Sequence, residues 1–274
     1  MSKTTNKGGQ TLGDALRSVF TTAVIIISFI IAWMVYKYVM GAPINFEGGN
    51  PEGKPIAGNY LAMIYKGGYI VPLLMTVLLV LITFSIERAI TLRRAKGKGR
   101  INVFVRNLQN YLANDKIEDA IVACDKQKGS LANVMKAGLM RYRTLQNDPT
   151  LEKDQKILAL QKEFEEATAL ELPILSRNLV ILSTIASISV LIGLMGTVLG
   201  MIRAFAALAQ AGAPDALALA TGISEALINT AFGIGGSLIA IVMYNLYSTQ
   251  IDAFTFKIDE AGFSLVQSFA AKTK

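Results

Sequence analysis

The 274-residue chain is 52% hydrophobic, only 17% charged and has a mean hydropathy of +0.43, which favours an integral membrane protein over a soluble domain, where about a quarter of residues carry charge. Lys and Arg exceed Asp and Glu by 27 to 20, and their crowding at the end of an apolar span points to an anionic membrane face and away from nucleic acid. The single cysteine excludes an intrachain disulfide, and the absence of histidine excludes histidine bases, Ser-His-Asp triads and histidine-ligated metals, so no enzyme of those kinds and no metal centre is expected.

Residues 1–18 form a polar tail with Lys3, Lys7 and Arg17, followed by an apolar run over 19–40. That run is too long for an ordinary signal-peptide core and lacks a small-x-small cleavage site, so it is expected to be an uncleaved membrane helix. Residues 41–68 are a Gly/Pro-rich connection with loop chemistry. A second span is expected over 69–86, stopping at Glu87-Arg88. The segment after it places Arg88, Arg93, Arg94, Lys96, Lys98 and Arg100 close together, which by the positive-inside rule faces the cytoplasm. Both chain ends are then expected inside and the 41–68 loop outside. The plain role of the basic run is a topology anchor.

Residues 87–177 read as a cytoplasmic helical domain. Asp115-Lys-Ile-Glu118 predicts a capping box opening a helix over 116–126, and Ser130 predicts an N-cap for 131–144. Asp148 before Pro149 predicts a further helix start. Ile157, Leu160, Phe164, Ala167 and Leu170 recur at steps of three and four, the pattern of a core-facing stripe. A third span runs over 178–210, and a kink is expected at Pro173. Gly193, Gly196 and Gly200 in this span allow close helix contact. A short turn, AGAPDALA, leads to a fourth span over 218–246 and a tail over 247–274 with Lys257, Lys272 and Lys274.

The fourth span carries one carboxylate, Glu225. A charged side chain at mid-membrane costs about 2.5–3.5 kcal/mol on lenient insertion scales, so this acid is a candidate functional residue. Asn229 and Gly233 follow it at helical steps, and Gly222, Ala226, Thr230 and Gly233 form an adjoining stripe fit for close packing. Arg203 is expected to lie at the interface or to pair with a carboxylate such as Asp215. GIGGS at 233–237 lacks the Lys-Ser/Thr of a phosphate loop and reads as helix packing.

LIGLMGTVLGMIRAF (191–205), GISEALINTAFGIGGSLIAIVMYN (222–245) and ERAITLRRA (87–95) together resemble the MotA/TolQ/ExbB proton-channel family, most of all its ExbB/TolQ branch. The resemblance implies an all-α polytopic membrane protein whose helices extend into a cytoplasmic helical domain and assemble as a ring-like homo-oligomer, a pentamer. It implies a single-span ExbD/TolR-like partner with a membrane aspartate, a TonB-like protein, and location in a bacterial inner membrane. Protons are then the coupling ion and no other cofactor is implied. By the same resemblance Thr197, Glu225 and Thr230 match the family's proton-path residues. Asn229 stands where a small apolar residue is commoner, and the first span is an addition to the usual three.

Two roles are open to Glu225 at this point. Burial disfavours a carboxylate's charged form and suits a proton relay, with the Thr197 and Thr230 hydroxyls donating and accepting. Alternatively the acid only fixes helix register and the threonines bond one turn back. For the whole chain, an energy-transducing channel stands beside a TolQ-like envelope role and a passive scaffold. A substrate carrier would show duplicated halves or broken helices, and the sequence shows neither.

Overall fold

The computed structural model describes residues 12–146, 148–209 and 215–272, with side chains described from residue 20 onward. Lys3 and Lys7, the side chain of Arg17, residues 211–214 of the expected turn, and Lys274 lie outside that description. The described chain is all-helical, with one isolated bridge between Phe46 and Pro55 and no strand. Nine α-helices follow in order: α1 Leu12–Met34, α2 Tyr60–Tyr65, α3 Ile70–Ala95, α4 Ile101–Ala113, α5 Ile117–Gln127, α6 Ser130–Gln146, α7 Lys153–Ser176, α8 Leu179–Leu208 and α9 Ala216–Lys272. Among the described residues four stretches are long and apolar enough to cross a membrane: Phe20–Met40, Ile70–Ala95, Lys153–Leu208 and Ala216–Lys272.

The chain divides into two compact units, residues 1–85 with 181–242 and residues 86–180 with 243–274. In the first, α1 passes into a π-helical turn, Val35–Met40, and Phe20–Met40 leaves Ile26, Ile27 and Ile30 exposed, a surface suited to hydrocarbon. The 41–68 connection is more ordered than its Gly/Pro content predicts. Asn45 donates to the carbonyls of Val39 and Met40 at 2.7 and 3.0 Å, ending the π turn. Asn59 donates to Asn45 and its Oδ1 caps α2 by accepting from Leu61 and Ala62. Two asparagines thus supply the backbone partners that a loop without a ladder would lack.

α8 and α9 pack through small residues. A Cβ on Gly193 would lie 2.9 Å from the Asn229 carbonyl, one on Gly200 would lie 2.8 Å from the Gly222 carbonyl, and one on Gly233 would lie 2.8 Å from Gly193 Cα. No side chain fits at such separations, so glycine sets how closely the backbones approach. Ser237 closes the row by donating to the Ala186 carbonyl at 2.6 Å.

In the second unit α4 buries Phe104, Leu108 and Leu112 at four-residue steps, and α6 buries Leu131, Met135, Leu139 and Tyr142. Tyr142 meets Phe269 of α9 edge-on at 4.6 Å between ring centres, and Phe164 of α7 packs on Gly138. Several local expectations are corrected. Asp115 has φ +58 and opens no capping box; α5 starts at Ile117, and the Asp115 carboxylate accepts from Lys272 at 2.6 Å. α6 starts at Ser130 itself. Asp148 folds into a turn by accepting from the Thr150 N–H and hydroxyl, and α7 opens later, at a capping box made by Glu152 and Gln155. Leu160 and Phe164 are buried but Leu170 is 75% exposed, because the buried stripe runs on to Leu175. α7 runs through the exposed Pro173, and the break before α8 falls at Asn178, with φ +60, where the third span was expected to begin.

That break is held by a buried cluster. Arg88, expected as part of a simple basic anchor, is 2% exposed and donates to both oxygens of Glu87 and to the Leu175 carbonyl. Glu87 also accepts from Thr91 and from Asn178. The expected 69–86 span is therefore the first part of a helix that runs to Ala95, because Glu87 and Arg88 satisfy each other inside it.

Candidate functional site

The site lies within the first unit, where α9 presents two adjoining stripes. Gly222, Ala226, Thr230 and Gly233 face α8, while Glu225 and Asn229 meet both α8, at Arg203 and Gly196, and the turn between α2 and α3. Glu225 is 4% exposed and Asn229 is fully buried. Asn229 Nδ2 donates to the Gly67 carbonyl at 2.9 Å, and its Oδ1 is buried without a partner among the described residues. Next to it Gly68 takes φ +75, which favours glycine, and a Cβ there would collide with the Glu225 carboxylate. The Gly67-Gly68 turn thus brings backbone against α9 where a larger residue would be shut out.

The Thr197 and Thr230 hydroxyls are in direct hydrogen-bond contact across α8 and α9. Thr197 also reaches the Gly193 carbonyl at 3.2 Å and the Ala226 carbonyl at 3.3 Å, and Thr230 reaches the Ala226 carbonyl at 3.1 Å. The threonines thus bond one turn back and also to each other. Each hydroxyl has one proton and two lone pairs, so the pair can exchange donor and acceptor roles in place. Glu225 makes no hydrogen bond to either.

Glu225 is not an unbalanced acid. Arg203 of α8 donates from Nη1 to both carboxylate oxygens, at 2.6 and 2.7 Å. Arg203 thus pairs with a carboxylate, as expected, but with Glu225 and not with the Asp215 offered as an example, whose Oδ1 caps α9 by accepting from Leu217 and Ala218. The sequence held a hint of this pair, an acid and a base each alone among apolar residues of neighbouring spans, but not their contact, which needs the two spans to fold back on each other. The Gly67-Gly68 contact carried no comparable sequence signal. The first span also reaches this neighbourhood. Tyr36 donates to the Tyr65 carbonyl at 3.1 Å, and Tyr36 and Met40 pack with Val71, Ile64 and Ile228. Among the described residues no cluster of acids, histidines or cysteines suits a metal ion.

Gly193, Gly196 and Gly200 on one helix, Gly222 and Gly233 on the next, and the threonine pair between them define a close-packed membrane helix pair with polar groups inside. Residues 126–260 match the sequence model of the MotA/TolQ/ExbB proton channel family, and the chain carries a domain of that family. Among similar proteins, the Tol-Pal system protein TolQ of Haemophilus influenzae is 27% identical over 200 residues, 71% of this chain and 86% of that protein. TolQ of Pseudomonas aeruginosa is 31% identical over 117 residues, 43% of this chain and 51% of that protein. The biopolymer transport protein ExbB of Salmonella typhimurium is 40% identical over 73 residues, 27% of this chain and 30% of that protein. The chain thus spans about half of the Pseudomonas relative and under a third of the Salmonella one.

Proposed function

We propose that this chain is the proton-channel subunit of a motor in a bacterial inner membrane, assembling as a ring-like homopentamer around an ExbD/TolR-like single-span partner. The observation that carries the reading is the hydroxyl contact between Thr197 and Thr230, on the helix pair that also holds the buried Glu225. A proton crossing the membrane down its potential releases about 2.3 kcal/mol per 100 mV. Taken up at Glu225 or at the partner's aspartate, and relayed by the two hydroxyls, that energy biases the assembly between two arrangements, which a TonB-like protein converts into work at the outer membrane. Protons are the only cofactor in this scheme.

Replacing Glu225 by Gln keeps the side chain's size and removes its titration. The Glu225→Gln variant should assemble normally yet lose energised uptake of a ferric siderophore; normal uptake would refute the reading. A TolQ-like role in envelope integrity is the second reading, favoured by the long match to the Haemophilus protein. It predicts detergent sensitivity in place of the uptake defect. A passive scaffold predicts that neither phenotype appears.

A further inference from the structure

The Arg203–Glu225 pair is lopsided. Glu225 is buried, with its side chain 5% exposed, while the Arg203 side chain is 51% exposed. One guanidinium nitrogen, Nη1, makes both bonds, and Nη2 and Nε make none to the described residues. A pair placed only to fix helix register would use the two-pronged face of the guanidinium, which is the stronger geometry. Among the described residues the surroundings add no second cation bonded to Glu225. Lys66, on the same turn as Gly68, is directed to the Glu52 carbonyl at 2.8 Å. Among the described residues the phenol of Tyr36 lies near both members of the pair, with Tyr65 and Tyr69 near Tyr36, and Tyr36 donates to the Tyr65 carbonyl.

Resting on the proton-path reading, we propose that Arg203 is a positioning residue: it holds Glu225 as a carboxylate, apart from the Thr197–Thr230 pair, until a proton or a competing carboxylate opens the latch. When Glu225 takes one proton from a hydronium ion, water leaves, the acid becomes neutral and the guanidinium keeps its charge. The electrostatic hold on the side chain is then lost, and the carboxyl is released as a donor to a threonine oxygen. A carboxylate on a partner helix has the same effect by capturing the unused Nη2 and Nε donors. Removing the guanidinium leaves Glu225 buried without a cation, which favours its neutral form.

The test uses the complete complex in vesicles, with proton flux under a fixed potential measured as a function of pH. Arg203→Gln should move the half-maximal pH of flux upward by about one unit or more, equal to loading at a tenfold lower proton concentration. Arg203→Lys should return the profile most of the way, and the Arg203→Gln, Glu225→Gln double variant should show no such titration. If Arg203→Gln fails to assemble, Arg203→Met is the deciding variant, with the same upward shift expected. An unmoved profile in an assembled, uncharged variant overturns the latch while leaving the proton path intact. If Glu225→Gln alone conducts like the parent, the proton-path reading itself fails, and the latch with it.

Discussion

Among the described residues each unit contains one arginine–glutamate pair in which one partner is nearly buried, and the two pairs are built in opposite senses. In the 86–180 unit the cation is buried: Arg88 is saturated by Glu87 and Leu175, and Glu87 in turn holds Thr91 and Asn178. In the 181–242 segment the anion is buried, and its partner Arg203 is half exposed and bonded through a single nitrogen. Fully partnered buried charges resist change because losing any member leaves an unpaired charge. The first arrangement clamps a helix junction, whereas the second leaves a buried acid with one half-exposed partner held through a single nitrogen.

The largest test of this contrast is Arg88→Ala, which leaves Glu87 part-buried without its cation and removes the donor to Leu175. It should destabilise the protein by about 3–5 kcal/mol in denaturant unfolding; a loss below about 1 kcal/mol would mean that the junction is not clamped. Gly200→Ala pushes a methyl group into the Gly222 carbonyl and the Ala226 backbone, and should cost about 1–3 kcal/mol of stability, read by thermal unfolding in detergent. Asn229→Ala removes the donor to the Gly67 carbonyl and also removes an unpartnered Oδ1, so the two effects partly offset. Its cost should be smaller, about 1 kcal/mol, and a larger loss would show that the Oδ1 has a partner in the assembled protein.

The smallest effect concerns Cys124, whose thiol is pushed up to about 12, mainly by burial and further by Asp125, against the opposing pull of Lys136. A thiol raised in the folded state favours the protonated form, so its contribution to stability holds below its ordinary range near 8.5 and falls as pH rises toward 12. Alkylation at pH 8 should be negligible until the protein is unfolded. Rapid labelling of the folded chain would show that the second unit opens around α5.

The four apolar spans were legible because hydrocarbon demands long runs of one character, and hydropathy records that directly. The small-residue rows of α8 and α9 were legible too, since their spacing survives in the sequence as Gly193, Gly196, Gly200, Gly222 and Gly233. What sequence could not supply was the partner of each polar group. Glu225 read as a lone acid because Arg203 is 22 residues away and meets it only when the two spans fold back on each other. Local signals failed where a distant group prevailed: Asp115 opens no capping box and is engaged by Lys272. The order of the 41–68 loop depends on Asn45 and Asn59, 14 residues apart, a separation that no turn rule covers.

The central claim, that protons pass along the α8–α9 polar groups, is tested most directly by proton flux into vesicles containing the complex with Thr197→Val and Thr230→Val. Valine keeps the shape of threonine and removes both hydroxyls. The account predicts a flux at least about tenfold lower, equal to about 1.4 kcal/mol on the barrier, with the assembly intact. Flux equal to that of the parent would contradict it.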